Sequence, residues 1–424
     1  MAQSFRFLHL ADLHLETSFG GLAATRQRLR EATLEAFRSA VDFAVENRLH
    51  AVLAAGDLFD EPVLSLRTEL ELAGAVRRLA QEGVWFLYAC GNHDPGGRAH
   101  RVAGLGLQRG AGADSWRARV RVFREPAPRR VVVRDRRGRP VGVVVGAGHP
   151  GPREERNLAA GFGPVRGRLP VVGLLHTQVE SARAAELHDR YAPSSAEDYR
   201  RLDYAYWALG HVHARQRAVP ELPVWYAGNL QGRHPGETGP KGGLLVEAEA
   251  GGHAEPEFVR FGPVRWERLA VELGPATDTA EGLLDLLVGQ AARARGDLAD
   301  EVAVRIELGG RSPLSARLRD PAERAQLEEL VARSSGALEV QLRAGGLGPP
   351  ADVAALRSEP TALARALELI GRAAGDDELL DELVPPALAG AGPGGRAARR
   401  AYLRELLPGL EDELVDRALE PEPE

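Results

Sequence analysis

The stretch Phe5-Arg6-Phe7-Leu8-His9-Leu10-Ala11-Asp12-Leu13-His14 begins as an apolar, β-rich run and ends on a carboxylate and an imidazole two residues apart. Four later runs repeat the design. Ala51–Ala55 leads into Gly56-Asp57, Val84–Cys90 into Gly91-Asn92-His93-Asp94, Val171–Leu175 into His176-Thr177, and Tyr204–Leu209 into Gly210-His211-Val212-His213. Each run is short, rich in Val, Leu, Tyr or Trp and bounded by Gly, Pro or Asp, which is the pattern of a buried strand. Loops leaving the strands of a layered sheet converge at one edge, where ligands usually bind. In Asp-X-His and His-X-His, extended backbone would also turn both side chains to one face. The expectation is an α/β fold with one polar centre gathered at strand ends.

Outward from these fragments, Val141–Val145, Val224–Ala227 and Gly243–Val246 read as further strands. Helical patterns cover Ala23–Glu46, Leu66–Glu82 and a shorter piece near Ala196–Leu202, and the Gly- and Pro-rich Arg153–Arg168 reads as a loop. Residues 1–262 therefore form the first domain. A second, 263–345, runs strand Arg265–Leu273, helix Thr279–Ala294, strand Glu301–Leu308, helix Pro321–Ser335 and strand Ala337–Arg343, a small α+β cap. Gly345–Pro350 looks like a linker to a helical C-terminal region, 346–424. There Thr361–Ala374 and Asp376–Val384 precede a Pro/Ala/Gly stretch, Pro385–Gly395, and a Leu-rich segment that Pro408-Gly409 is expected to break into two helices.

Apolar content of 44% and charged content of 27% are those of an ordinary soluble globular protein. No apolar run approaches the ~20 residues that span a bilayer, so no membrane segment is expected. The N-terminus lacks the basic region and small-residue cleavage site of a secretory signal. The single cysteine, Cys90, excludes an intramolecular disulfide and fits the reducing cytoplasm. Net charge is -6, but residues 346–424 hold 16 acids against 8 arginines, a local -8, which leaves +2 for the rest. The front part is thus able to approach a polyanion that the tail would repel. Lys241 is the only lysine, a bias that reflects genome composition or growth temperature more readily than function.

The ligand types in the five fragments suit two divalent metals. Imidazole suits Mn, Fe or Zn, carboxylate suits Mg or Mn, and the mixture favours a borderline ion. Two ions ~3.5–4 Å apart need a bridging anion, and the two oxygens of Asp57 supply one. One metal would take Asp12, His14 and His213, the other Asn92, His176 and His211, with a water between them activated to hydroxide near neutral pH. His93 should point from Asn92 towards substrate, as a general acid or a stabiliser of phosphoryl charge, with Asp94 or Asp60 orienting it. Any one fragment alone has a bland reading, a turn or a helix cap; five in order, each ending a strand, do not. His9 is expected in the core, His50, His100, His149 and His253 at surface or turn positions, and Cys90 as an inert core residue.

This ordered set, over about residues 4–250, resembles the calcineurin-like metallophosphoesterases, a two-sheet sandwich flanked by helices. Phe7–Leu15, Gly56-Asp-Leu-Phe-Asp60, Tyr206–His213 and Tyr226–Gly242 are similar to blocks of the bacterial SbcD/YhaO-type DNA-repair exonucleases, and His188–Ser194 leans to the YhaO-type branch. The resemblance implies manganese-dependent cleavage of DNA, 3′ to 5′ exonuclease with single-strand endonuclease activity, beside an SbcC-type SMC-like coiled-coil ATPase. The helices from Ala398 onward would dock that ATPase, or else pack on their own domain. Arg233, His234 and Lys241 would hold DNA phosphates, or else form a structural loop. A homodimer is left open. Archaeal and eukaryotic relatives carry a second histidine where this chain has Asp60, so that auxiliary role does not transfer. Two alternatives keep the same residues: a phosphatase acting on nucleotides or phosphoproteins, against whose protein-phosphatase branch Asp60-Glu-Pro62 argues, and a non-catalytic DNA-end scaffold, against which the filled ligand set argues.

Overall fold

The computed structural model describes residues 4–17, 19, 23–60, 64–96, 118–180, 191–296, 301–384 and 396–419. His100, Pro62, the stretch Pro385–Gly395 and the first part of the His188–Ser194 block lie outside them. The chain divides into two compact units, Met1–Glu267 with Leu298–Ala303, and Arg268–Asp297 with Val304–Glu424.

The first unit is built on two six-stranded sheets. Strands β1 (Phe5–Leu10), β2 (Ala51–Ala55), β3 (Trp85–Ala89) and β4 (Val120–Phe123) run parallel. β11 (Gly242–Ala248) and β12 (Glu257–Arg260) complete the first sheet antiparallel on the other side of β1, in the order β12-β11-β1-β2-β3-β4. The second sheet takes β5 (Arg129–Arg134), β6 (Pro140–Gly146), β7 (Val171–His176), β8 (Tyr206–Gly210), β9 (Gln216–Val219) and β10 (Val224–Tyr226), in the order β5-β6-β7-β8-β10-β9.

Alternation along the strands explains the layers. Leu8, Leu10, Val52, Ala54, Phe86 and Tyr88 face helices α1 (Ala23–Glu46) and α2 (Leu66–Gln81), whose Phe37, Val41, Leu72 and Val76 share their cluster. Their neighbours Phe5, Phe7, Leu53 and Leu87 turn the other way, onto Val144, Val172, Leu174 and Tyr206 of the second sheet. The outer face of that sheet is covered by Phe162, Tyr199 and Tyr204, the last two on and after the short helix α3 (Ala196–Arg200). Central strands buried on both faces select apolar residues, so β2 and β3 read as unbroken apolar runs and β1 is interrupted only by Arg6 and His9. The result is the two-sheet sandwich flanked by helices that the sequence reading expected.

A third sheet has the order β13 (Val264–Leu273), β14 (Glu301–Arg311), β15 (Glu339–Gly348). The second unit also holds α4 (Ala280–Arg295), α5 (Ser315–Arg319), α6 (Pro321–Ser335), α7 (Val353–Ser358), α8 (Ala362–Ala373), α9 (Asp377–Glu382) and α10 (Arg396–Leu419). Two expectations fail here. β15 continues through Gly345 to Gly348, into the presumed linker. α10 runs unbroken across Pro408-Gly409. An interior proline removes one hydrogen bond at a cost of ~3 kcal/mol, and ion pairs hold the helix on both sides of it. Arg400 pairs with Asp377 and Asp381 before the proline; Glu411 pairs with Arg357 and Asp416 with Arg311 after it.

Candidate metal centre

All five fragments lie at the carboxyl ends of β1, β2, β3, β7 and β8, on one edge of the sandwich. The loops after β1 and β2 pair with each other: the Asp12 amide donates to Gly56 O, and His14 and Leu15 to Asp57 O and Leu58 O. Their backbone is not extended, as the Asp-X-His argument supposed. Asp12 (φ 51°), His14 (φ 47°), Asp57 (φ 49°) and His211 (φ 109°) all take left-handed values, unusual for residues with a side chain and typical of over-determined functional sites. Close approach also demands glycine at two positions. A Cβ on Gly56 would stand 2.1 Å from His176 Nδ1, and one on Gly210 would stand 1.9 Å from Ala55 O.

Asp12, His14, Asp57 and His176 are each at most 2% exposed. Asp57 Oδ1 accepts the His93 amide at 2.9 Å, while its Oδ2 lies 3.4 Å from His176 Nε2 and 3.9 Å from His14 Nε2. Asp12 accepts the His211 amide at 3.0 Å. Asn92 Oδ1 sits 2.9 Å from His176 Nε2, and the rings of His176 and His211 meet edge-on at 5.2 Å. Ligand atoms of Asp12, His14 and His213 lie within 4.8 Å of one another, as do those of Asp12, Asp57 and His176.

The protons of these rings decide what the centre accepts. His176 Nδ1 donates to Ala55 O at 2.9 Å and His14 Nδ1 to Asp60 Oδ1 at 3.3 Å, while His213 Nδ1 lies 2.8 Å from Glu237 Oε1 and 2.9 Å from an Arg233 nitrogen. The Nε2 atoms of His14 and His176 are then lone pairs. His14 Nε2 and His213 Nε2 face each other at 3.1 Å, and His176 Nε2 faces the oxygens of Asn92 and Asp57. Burial prevents the rings from charging to relieve this: it lowers His14 to about 3 and His176 well below its ordinary value. Burial, and then mutual repulsion, raises Asp12 well above the carboxylate range, and burial with the nearby Asp94 charge raises Asp57 to about 7. A buried set of lone pairs and carboxylates facing one another fits divalent cations.

The pattern matching residues 5–215 is that of the calcineurin-like phosphoesterases. The uncharacterized metallophosphoesterase YhaO of Bacillus subtilis is 31% identical over 319 residues, 74% of each chain. This chain belongs to the calcineurin-like phosphoesterases. A shorter stretch, 89 residues and 21% of each chain, is 39% identical to the DNA double-strand break repair protein Mre11 of Aeropyrum pernix. A dimetal phosphatase of Danio rerio covers 62% of this chain and all of its own, at 13% identity and a TM-score of 0.35.

In this candidate centre, Asp60 rather than Asp94 faces His93. The His93 Nδ1 to Asp60 Oδ1 distance is 2.6 Å, and Thr17 Oγ1 donates to Asp60 Oδ2 at 2.7 Å. Burial would raise Asp60, yet its bonds from His14 and His93 hold it well below the carboxylate range, and the same bond raises His93 to about 9. Asp94 is turned inward instead, accepting the amides of Gly91 at 2.7 Å and Leu58 at 2.5 Å. It fastens the β2 and β3 loops to each other.

The three residues assigned to DNA phosphates separate. Arg233 reaches the centre, donating to Glu237 at 3.1 Å with one nitrogen 3.8 Å from Asp60, and His234 is exposed at the rim, 3.4 Å from Glu237. Lys241 is only 9% exposed, which removes it as a surface contact, and burial lowers its pKa. Its position at the start of a central strand keeps it inside.

Sequence reading missed Glu237. Its carboxylate lies 2.8 Å from His213 Nδ1 and accepts from Asn229 at 2.7 Å and from the Arg233 amide at 2.7 Å, so it ties the glycine-rich loop to His213. An acid inside an otherwise Gly-, Pro- and His-rich loop was the available signal. His149 was also misplaced: it is fully buried, donates Nε2–H to His176 O at 2.8 Å and packs edge-on against the His176 ring. His9 and Cys90 are core residues, His9 bonding Tyr206 and Leu209 O at 3.1 Å.

Proposed function

We propose that this metallophosphoesterase is a DNA nuclease dependent on two divalent cations, manganese by preference, cleaving phosphodiesters 3′ to 5′ and nicking single strands. The observation that carries the two-ion reading is Asp57 Oδ2 between His14 Nε2 and His176 Nε2, one imidazole from each ligand group. Asp12, His14 and His213 would hold one cation, Asn92, His176 and His211 the other, and Asp57 would touch both. When bound, such ions lower the pKa of water and offset charge on phosphoryl oxygens.

The chain's own residues supply the rest. His93, with 43% of its side chain exposed, stands at the rim of an otherwise buried centre. Asp60 anchors its Nδ1 proton and keeps the ring charged at neutral pH, so Nε2–H is available to a leaving oxygen or to phosphoryl charge. Arg233 places a further positive charge on that side.

DNA as substrate is supported by the Mre11 stretch and the longer sequence blocks, and a cytoplasmic setting by the lone buried Cys90. An SMC-like coiled-coil ATPase is the proposed partner. On α10, Tyr402, Leu406 and Leu410 recur at four-residue spacing and are all exposed, an apolar stripe suited to another helix. Among the described residues no helix is long and apolar enough to cross a membrane.

Time courses on 3′- and 5′-labelled duplex and single-stranded DNA, with manganese, magnesium or chelator, test the reading. Manganese-dependent shortening from 3′ ends is expected. Hydrolysis of nucleotides or phosphopeptides with DNA left intact would replace it by the phosphatase reading.

A further inference from the structure

The segment 118–139 holds nine arginines against two acids, Glu125 and Asp135, a local +7 in a chain whose net charge is -6. It forms β4, β5 and the turn from β5 into β6, and β4 and β5 are edge strands of the two sheets. Trp85, the first residue of β3, joins the two edges. Its Nε1–H donates to Arg134 O at 3.0 Å, and the guanidiniums of Arg119 and Arg121 lie 5.9 and 5.8 Å from the centre of its ring. Arg119 crosses from one sheet to the other, donating to Arg134 O at 3.1 Å and Asp135 O at 3.5 Å. The cluster therefore stands at the amino end of β3, whereas the candidate metal centre gathers at the carboxyl ends of the strands.

Each nearby acid already has a partner. Glu125 pairs with Arg129 at 2.7 Å, Asp135 with Arg139 at 2.7 Å, and Glu82 lies 3.9 Å from Arg136. Asp135 is further occupied by the amides of Arg137 and Arg139 and is only 8% exposed. Among the described residues, Arg119, Arg121, Arg134 and Arg137 have no carboxylate at ion-pair distance. Arg121 donates to Val120 O at 2.7 Å and Arg134 to Gly138 O at 2.9 Å. Such carbonyls fix a guanidinium and leave its charge. Arg121, Arg134 and Arg137 are exposed.

Guarding an edge strand against pairing takes a charge or two of either sign. Nine of one sign, in a chain that is otherwise acidic, ask for an anionic partner. We propose that this basic strip binds the sugar–phosphate backbone of nucleic acid without regard to base sequence. Guanidiniums pair with phosphate oxygens, and charges spread along two strand edges suit a linear polyanion better than one small anion. A lipid surface would take apolar side chains beside the charges, and Val132 is the strip's one exposed large hydrophobic residue. The strip binds whether or not the metal centre cleaves DNA.

The test uses the full chain in chelator, with a short labelled duplex titrated by anisotropy across a salt series. The variant Arg121→Gln, Arg134→Gln, Arg137→Gln should bind more weakly, its log K against log[salt] slope shallower by about 2.7, roughly 0.9 for each duplex phosphate contact. The matching Arg121→Lys, Arg134→Lys, Arg137→Lys protein should keep most of the wild-type slope, because it keeps the charge. Arg333→Gln, Arg365→Gln, Arg417→Gln in the second unit removes equal charge and should leave the slope alone; an equal drop there overturns the strip. Should the first variant fail to fold, Arg137→Gln gives about 0.9 by itself, its side chain having no hydrogen-bond partner among the described residues. Equal slopes for wild type and variant overturn the strip. So does retention on phosphatidylserine vesicles that the variant loses while its duplex binding is unchanged. Manganese-dependent cleavage is measured separately: a protein that binds through these arginines yet cuts no DNA loses only the nuclease reading.

Discussion

Replacing Asp57 by asparagine should remove cation binding and, in the metal-free protein, make the chain more stable. Asp57 is buried among acceptors, and its carboxyl is raised from 3.8 to about 7. At ~1.4 kcal/mol for each tenfold, the metal-free fold loses ~4 kcal/mol at pH 8 by holding this charge. The amide removes the charge but keeps Oδ1 for the His93 N–H and offers an N–H towards His176 Nε2, 3.4 Å from the replaced oxygen. The sign follows from proton counts. Between pH 3.8 and about 7 the folded state binds more protons than the unfolded one, so wild-type stability from this group falls as pH rises, then levels off. The advantage of Asp57→Asn is therefore near zero at pH 4, below ~2 kcal/mol at pH 5 and ~4 kcal/mol at pH 8. Urea unfolding in chelator measures it, and tryptophan emission reports the right unit because all five tryptophans, Trp85, Trp116, Trp207, Trp225 and Trp266, precede residue 268. With saturating manganese the order should reverse, since only wild type gains binding energy. A metal-free Asp57→Asn protein no more stable than wild type at pH 8, or a gap that does not shrink towards pH 5, would refute the reasoning.

His93→Ala should lower kcat by ~10²–10⁴ while bound manganese per chain stays constant; the wild-type rate should fall as pH rises through about 9, where His93 loses its proton. Full turnover by the His93→Ala enzyme removes the acid. Glu237→Gln should weaken manganese binding ~10–100-fold by releasing His213 Nδ1, and Glu237→Asp should recover part of it; an unchanged isotherm denies the carboxylate that role. Gly210→Ala drives a methyl into the Ala55 carbonyl at 1.9 Å, so thermal unfolding should occur many degrees lower, and a Tm at the wild-type value contradicts the packing. Leu406→Glu with Leu410→Glu should leave helix content intact but abolish co-purification with the ATPase, whereas undiminished recovery would remove α10 as its dock.

What the sequence revealed depended on burial. β1, β2, β3, β7 and β8 are central strands covered on both faces, so apart from Arg6 and His9 of β1 their residues are apolar up to the polar fragments at their ends, which therefore stand out. The strands that escaped reading, β4, β5, β9 and β12, are the four outer edges of the two sheets. An edge strand answers to solvent and must resist pairing with other chains, which selects short, charged sequences such as Arg129-Arg-Val-Val-Val-Arg134. The apolar run that remains there, Val131–Val133, is too short to read as a strand.

The same logic divides the site. A candidate metal ligand is constrained by its own chemistry, so the Asp, His and Asn proposed at strand ends were legible as types. A residue that holds a ligand is constrained only by where its partner lies. Asp60 and Asp94 are both acids next to the motif, and only the fold shows that one faces His93 while the other faces the amides of Leu58 and Gly91. Glu237 lies 24 positions from His213 along the chain, yet its carboxylate comes within 2.8 Å. His149 is paired with a backbone carbonyl, an acceptor that every residue possesses and that no sequence distinguishes. Substitutions at Glu237 and Asp60 therefore probe the three-dimensional arrangement in a way that substitutions at the ligands do not. Loss of a ligand removes the ion whatever the fold, but loss of a holder matters only if these contacts exist.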